Sequence, residues 1–236
     1  MDYQEEYLRK NPTLHVEDAP NKLYELKSEL AKAGRINTFL DAGCGTGTVT
    51  NLVFEFLKSE KATGLDISEN MIKSAMGMNS HPRINFICRD ILNFRPAASF
   101  DAVISTDIIE HVPDDQQFIR QILNLGNICI IRLPLENSWI NILLKWLHIS
   151  DEFAKTRNRY GHIHHYSLSS FSDLVHKAGG TISTYSLFPI IKPRSWWLNE
   201  VLRQIISPIY KISLTSGVKI GGGFLVATIT SSKSIR

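Results

Sequence analysis

Phe39-Leu40-Asp41-Ala42-Gly43-Cys44-Gly45-Thr46-Gly47 carries an apolar run into three glycines at alternate positions. The run reads as a strand over Ile36–Asp41. The glycines read as a turn that lets the backbone pass close to a ligand. Thr48 to Ser59 reads as the helix that follows, with Leu52, Val53, Phe56 and Leu57 on one face. A helix opening there offers unpaired N–H groups to a bound molecule. A dinucleotide-binding turn would space its glycines G-x-G-x-x-G. Here they stand at 43, 45 and 47, and Asp41 ends the strand. That carboxylate would repel a pyrophosphate but accept hydrogen bonds from a cationic amine, directly or through water. Both features favour a sulfonium amino-acid cofactor over a nicotinamide one.

Outward from this turn, strand and helix patterns alternate, which predicts an α/β fold with a mostly parallel, doubly wound sheet. Asn21–Lys32 reads as an amphipathic helix on Leu23, Leu26 and Leu30. Lys61–Asp66 reads as a second strand. Ser68 reads as the N-cap of a helix that buries Met71, Ile72 and Ala75. Ile84–Cys88, Phe100–Thr106 and Asn127–Arg132 read as strands three to five, with a helix from Asp114 and Asp115 through Leu125. Ser167–Ala178 reads as a helix closed by Gly179-Gly180, and Thr181–Leu187 and Phe224–Thr230 as the last two strands.

In order and spacing these pieces resemble class I S-adenosylmethionine-dependent methyltransferases. Asp41 to Gly47 is similar to that family's first motif, and Gly64-Leu65-Asp66-Ile67-Ser68 to its second. Arg89-Asp90-Ile91 is similar to its adenine position, and Phe100 to Thr106 with Ile109-Glu110-His111-Val112 to its fourth-strand motif. The resemblance covers residues 36–132, with weaker strand-level support beyond. It implies a Rossmann-like sheet of seven strands with the last antiparallel, and S-adenosylmethionine as cofactor. It also implies that Asp66 holds the ribose hydroxyls, Asp90 accepts from the adenine amino group, Ile91 lines the ring and the Thr106 backbone meets the methionine part. The cofactor-binding candidates are Asp41, Gly43, Cys44, Gly45, Gly47, Asp66, Ile67, Met71, Asp90, Ile91, Thr106 and His111. The whole chain, 1–236, reads as a single methyltransferase domain. An N-terminal helical segment (1–35) precedes the cofactor-binding core (36–132), and in similar enzymes that segment folds over the cofactor or acceptor.

The methyl acceptor is less legible. Methyl transfer from a sulfonium mainly requires an aligned nucleophile and a dry site, and a hydroxyl acceptor benefits from a general base. Tyr160-Gly161-His162-Ile163-His164-His165-Tyr166 holds the base candidates, with His162 and His165 favoured as catalytic, though His165 serves structure equally well. His111 reads as shaping the cofactor pocket. Three histidines in four positions also suggest a metal. No second cluster of His, Cys or carboxylates with ligand spacing stands nearby in sequence, so no metal site is expected. Ser105-Thr106-Asp107-Ile108 stands where base-amino and glutamine methylating enzymes carry Asn-Pro-Pro-Tyr, and no Pro-Cys pair marks a cytosine-C5 enzyme. A small-molecule acceptor, methylated at oxygen, leads. In layout the chain is similar to quinone-biosynthesis O-methyltransferases. The alternative is a non-catalytic S-adenosylmethionine-binding partner protein, against which the intact Asp41, Asp66 and Asp90 set speaks.

Composition bounds these readings. The formal charge of +3 over 236 residues, with no dense Lys/Arg stripe, argues against nucleic acid as partner. Cys44, Cys88 and Cys129 read as reduced core thiols, which fits a cytoplasmic protein. Met1–Lys10 is polar and acidic, unlike a secretory signal, and no apolar stretch reaches membrane-spanning length. Two segments interrupt the alternation, 136–160 and 189–223, and read as lid-like helical insertions over the acceptor pocket. In the first, Asn141, Lys145 and His148 share a narrow polar face on an otherwise apolar helix. In the second, Trp197, Leu198, Val201, Leu202, Ile205 and Ile206 recur at helical spacing until Pro208 interrupts. Such Trp-rich faces suit an apolar or lipid-linked acceptor, or contact with a membrane surface.

Overall fold

The computed structural model describes residues 16–79, 81–190 and 197–232. Seven strands form one sheet in the order β3-β2-β1-β4-β5-β7-β6. They are β1 (Thr38–Ala42), β2 (Lys61–Asp66), β3 (Ile84–Cys88), β4 (Phe100–Thr106), β5 (Gly126–Leu135), β6 (Gly180–Pro189) and β7 (Gly223–Ser231). The first five pair in parallel, and β7 runs antiparallel to both β5 and β6. The fold is the Rossmann-like doubly wound sheet the alternation predicts. Register places Asp41 beside Gly64 of β2 and Ile104 of β4. The carboxyl ends of β1, β2 and β4 thus come together where strand order reverses, the crevice in which open α/β sheets bind ligands.

Helices α1 (Ala19–Lys32), α2 (Thr48–Leu57) and α3 (Glu69–Met78) cover one face. Their apolar stripes, Leu26 and Leu30, Val53 and Phe54, and Ile72 and Ala75, join Phe39, Ala102 and Ile130 in one core cluster. On α2 the buried residues are Thr50, Val53 and Phe54, whereas Phe56 is exposed. The expected face over Leu52 and Phe56 is therefore rotated, because the helix start at Thr48 sets which 3.6-period stripe meets the sheet. Met71 is only half-buried, because it faces a cavity rather than the core.

Helices α4 (Asp115–Leu125) and α7 (Leu168–Lys177) cover the other face, α4 packing on β4, β5 and β7 and α7 on β6, and Phe118, Ile119, Ile122, Phe171 and Val175 join one core cluster. Burying each such side chain stabilises the fold by roughly 1.5–3 kcal/mol. Helix starts are fixed locally: Ser68, Asp114 and Ser167 each accept a backbone N–H of the first turn, Ser167 within a capping box. Across the sheet, the fully buried Glu29 of α1 accepts from Thr184, Ser186 and Thr228 and pairs with Lys32, which ties α1 to β6 and β7.

The first insertion folds as α5 (Trp139–Trp146) and α6 (Glu152–Tyr160). Its expected polar face is not formed. Asn141 is buried, donating to the Glu136 carbonyl, and α5 ends before His148, which takes a left-handed turn. Beside the exposed Lys145, which pairs with Asp151, stand exposed apolar residues, with Trp139 74% and Trp146 73% accessible. The second insertion folds as α8 (Trp197–Ile212) and α9 (Leu214–Gly221). Helix α8 runs through Pro208 rather than stopping there. Packing outweighs the lost hydrogen bond: Tyr210 fits against Gly217, its hydroxyl donates to the Gly222 carbonyl, and Ile206 packs beside Gly221. The side-chain pattern expected over Trp197 to Leu202 lies outside the described residues. Among the described residues, no helix is long and apolar enough to cross a membrane. Cys88 is exposed at the end of β3, so only Cys44 and Cys129 are core thiols.

Candidate functional site

At the switch point, the turn from β1 to α2 folds tightly. Gly43 and Cys44 donate to the Leu65 carbonyl of β2, and Gly47 donates to the Cys44 carbonyl. Gly43 sits at φ +82°, and a side chain there would overlap Ile108. Gly45 sits at φ +53°, and a Cβ there would meet nothing within 4 Å, because the position faces open space. That space is a cavity of about 690 Å³. Its walls come from the β1–α2 turn, the end of β2, the start of α3, the turn after β3, the end of β4 and the start of α1.

Of the twelve candidates named from sequence, ten line this cavity: Gly43, Cys44, Gly45, Asp66, Ile67, Met71, Asp90, Ile91, Thr106 and His111. Asp41 and Gly47 lie behind it. Asp66 receives Gly45 N–H at 2.9 Å and Ser68 N–H at 2.8 Å, which fixes its carboxylate at the end of β2. Burial raises its pKa, and those backbone donors oppose the rise. Asp90 caps a short turn by accepting from Leu92 N–H and the Asn93 amide. Asp41 is 1% exposed; Thr50 donates to one of its oxygens at 2.5 Å, and the other has no partner among the described residues. Desolvation pushes Asp41 up to about 6.

The fold adds a cavity residue, Asp107, to which sequence reading gave no role, and brings Lys22 of the N-terminal segment to it. Asp107 follows β4 in a left-handed conformation at φ +56°. It pairs with Arg132 of β5 and, at 3.1 Å, with Lys22 of α1, and Arg132 also donates to Glu25 at 2.5 Å. Despite burial, Arg132 and Lys22 hold the Asp107 carboxyl well below its ordinary range. Lys22 and Asp107 both line the cavity, so the N-terminal segment reaches it through Val16, Ala19 and Lys22. An Asp-x-x-Glu-His run directly after β4 was the available sequence signal for Asp107, but its pairing with α1 and β5 is tertiary.

His162 and His165 do not line the cavity. Both turn Nδ1 to one carboxylate: His162 lies 3.0 Å from Glu136 Oε1, and His165 2.7 Å from Oε2. The ring of His162 meets that of His111 edge-on at 5.0 Å, one layer behind the cavity wall. Burial and the neighbouring His162 press the His111 pKa down to about 4. Among the described residues, none that lines the cavity comes from either insertion.

The donor set fits S-adenosylmethionine. The Asp66 and Asp90 carboxylates line the cavity and could accept from ribose and adenine, the backbone is open at Gly45, and no phosphate-binding turn is present among the described residues. Residues 39–125 match the family described as "Methyltransferase domain". Curated relatives include a malonyl-[acyl-carrier protein] O-methyltransferase of Bacillus cereus, 28% identical over 130 residues, 55% of this chain and 47% of that protein. Another is a trans-aconitate 2-methyltransferase of Escherichia coli, 25% identical over 133 residues, 55% of this chain and 52% of that protein. The chain thus spans about half the length of the curated relatives it matches. Among solved structures, magnesium protoporphyrin IX methyltransferase from Synechocystis with bound S-adenosylhomocysteine superposes with a TM-score of 0.56 at 14% identity, covering 98% of this chain and 88% of that one. A chain of the Haloferax volcanii complex between the Trm112 methyltransferase activator and a methyltransferase superposes at 0.67 and 13% identity, covering 97% and 95%. Sheet order and cavity define the Rossmann-like methyltransferase fold. Residues 39–125 are thus similar to a methyltransferase domain, in line with the resemblance to class I S-adenosylmethionine-dependent enzymes.

Proposed function

We propose that this protein transfers a methyl group from S-adenosylmethionine to the oxygen of a small molecule with an apolar or lipid-linked part. One observation carries the reading: a single cavity of about 690 Å³ joins the glycine turn, Asp66 and Asp90 to His111 and Asp107. When bound, the cofactor supplies an electrophilic methyl group on a positively charged sulfur. The chain's residues bind and align. Asp66 accepts from the ribose hydroxyls, Asp90 from the adenine amino group, and Gly43 and Gly45 let the backbone approach. Asp41, behind the turn, meets a cationic amine directly or through water. His111 is neutral at pH 7 with its pKa near 4. Its Nδ1–H donates to the Gly161 carbonyl at 3.3 Å, which orients the ring and leaves its lone pair on Nε2. His162 and His165, fixed by Glu136, act as positioning residues behind it. One curated relative is named for O-methylation, which agrees with an oxygen acceptor.

The test is calorimetric titration with S-adenosylmethionine and its demethylated product. Micromolar-range binding by wild type is expected, weakened at least tenfold, about 1.4 kcal/mol, in Asp66→Ala. No binding by a well-folded wild type would overturn the reading.

The lipid-linked part rests on the exposed indoles of Trp139 and Trp146. The protein is expected to float with phosphatidylglycerol-containing vesicles, and a Trp139→Ala/Trp146→Ala variant to remain in the dense fraction. Wild type that stays in the dense fraction removes the lipid contact from the proposal.

A further inference from the structure

Behind the cavity wall, Glu110 is 1% exposed, and neither of its carboxylate oxygens has a hydrogen-bond partner among the described residues. Burying such a group without partners is costly. Its backbone carbonyl, by contrast, is fully engaged, receiving the Ile163 and His164 N–H groups that zip the histidine-rich stretch onto the turn after β4. This junction brings Glu110 and His111 to His162, fifty-one residues further along the chain from His111. One ligand atom from each of the three lies within 4.8 Å of the others.

Both imidazoles are already set as ligands. His162 donates Nδ1–H to the Glu136 carboxylate and His111 donates Nδ1–H to the Gly161 carbonyl, so each keeps a lone pair on Nε2. A carboxylate or carbonyl holding the far side of a ligating imidazole is the usual outer shell of a protein metal site. Two imidazole nitrogens and one carboxylate, with a coordination position left over, match the ligand set of catalytic zinc and related first-row divalent sites. Zinc–nitrogen bonds of about 2.0–2.1 Å require the three ligand atoms to close further around the ion.

We propose that Glu110, His111 and His162 bind a divalent first-row cation of the zinc type, with Glu136 as the outer-shell residue that orients His162. Of the three, His111 also lines the cavity, so the ion would sit at the cavity wall. An acceptor oxygen bound there would lose its proton more readily, as metal-bound water does. That role rests on the methyl-transfer reading; the binding of the ion does not.

The experiment takes the full chain, stripped with chelator and dialysed, and titrates it with zinc chloride by calorimetry. Cobalt(II) chloride serves as a spectroscopic probe of the same site. Wild type is expected to bind one equivalent and to give a cobalt spectrum of nitrogen and oxygen ligation. Outer-shell substitutions cost about 10–100-fold in metal affinity, so Glu136→Gln is expected to fall in that range. Glu110→Gln and His162→Asn are expected to lose at least about 100-fold, beyond the outer-shell effect. His164→Asn, whose Nε2 meets the Val112 carbonyl outside the cluster, should bind as wild type does. Wild type that takes up no zinc, or Glu110→Gln and His162→Asn variants that bind it as wild type does, would overturn the proposal. Circular dichroism reports folding of each variant; should Glu110→Gln fail to fold, His162→Asn and Glu136→Gln decide. S-adenosylmethionine titrations on the same samples separate the two readings. Cofactor binding without zinc binding sinks only the metal site, and zinc binding without cofactor binding sinks only the methyl-transfer reading.

Discussion

Replacing Arg132 by methionine is expected to destabilise the protein by about 3–5 kcal/mol, the range for breaking a buried ion pair by removing one partner. The Arg132 side chain is 6% accessible, pairs with Glu25 and Asp107, and lies 4.1 Å above the Phe224 ring. Methionine keeps the length and apolar bulk but leaves Glu25 without its cation and Asp107 with Lys22 alone. The loss comes from the stranded carboxylates, so Arg132→Met/Glu25→Gln should recover part of it. Urea unfolding followed by circular dichroism gives the comparison. A loss below about 1 kcal/mol, the level of exposed pairs, would mean that water reaches this network. Because Lys22 and Asp107 line the cavity, the variant should also bind S-adenosylmethionine less tightly than wild type.

Asp41 should make the ligand-free protein less stable as pH rises. Its folded-state pKa is raised from 3.8 to about 6, chiefly by desolvation, with the Thr50 hydroxyl opposing. Well below pH 4 the group is protonated in both states and contributes no penalty, which then builds up between the unfolded value of 3.8 and the folded value of about 6. As pH rises through 6 the folded state must carry the buried charge, and stability falls by about 3 kcal/mol in total. Asp41→Asn keeps an oxygen for Thr50 and removes the charge. Subtracting the stability of wild type from that of Asp41→Asn, measured by urea unfolding from pH 4 to 7.5, cancels the other carboxylates. The difference should grow with pH and level off above about 6.5, with the variant the more stable at neutral pH. Parallel curves would show that Asp41 is hydrated or ionised without penalty. Saturating S-adenosylmethionine should shrink the difference, because a cationic amine near the turn favours the ionised carboxylate.

Local rules made much of the cofactor side legible. The strand into Gly43, the caps at Ser68, Asp114 and Ser167, and the acidic ends of β2 and the turn after β3 each depend on neighbours within a few residues. The chain there reads almost as it folds. Reading failed where the deciding contact was distant. Phe54 rather than Phe56 is buried because of the face α2 presents to the sheet. Pro208 stays inside α8 because Tyr210 and Ile206 pack against α9. Asn141 turns inward to the Glu136 carbonyl and leaves the indoles of α5 outside.

Sequence by itself therefore determined the sheet class and ten of the residues that line the cavity, since period, cap and turn chemistry act over single turns of chain. Only tertiary structure decided what surrounds that cavity. Lys22, Asp107 and Arg132 come from α1, the end of β4 and β5, and meet because the sheet order sets β4 beside β5 and α1 across them. His162 and His165 read in sequence as base candidates, with a structural role equally open to His165. The fold turns both to Glu136 and sets Glu110 and His111 against His162, a juxtaposition fixed by the backbone pairing of Glu110 with residues 163 and 164. Spacing along the chain carries no trace of such contacts, because the loop between them is closed by packing rather than by any local preference.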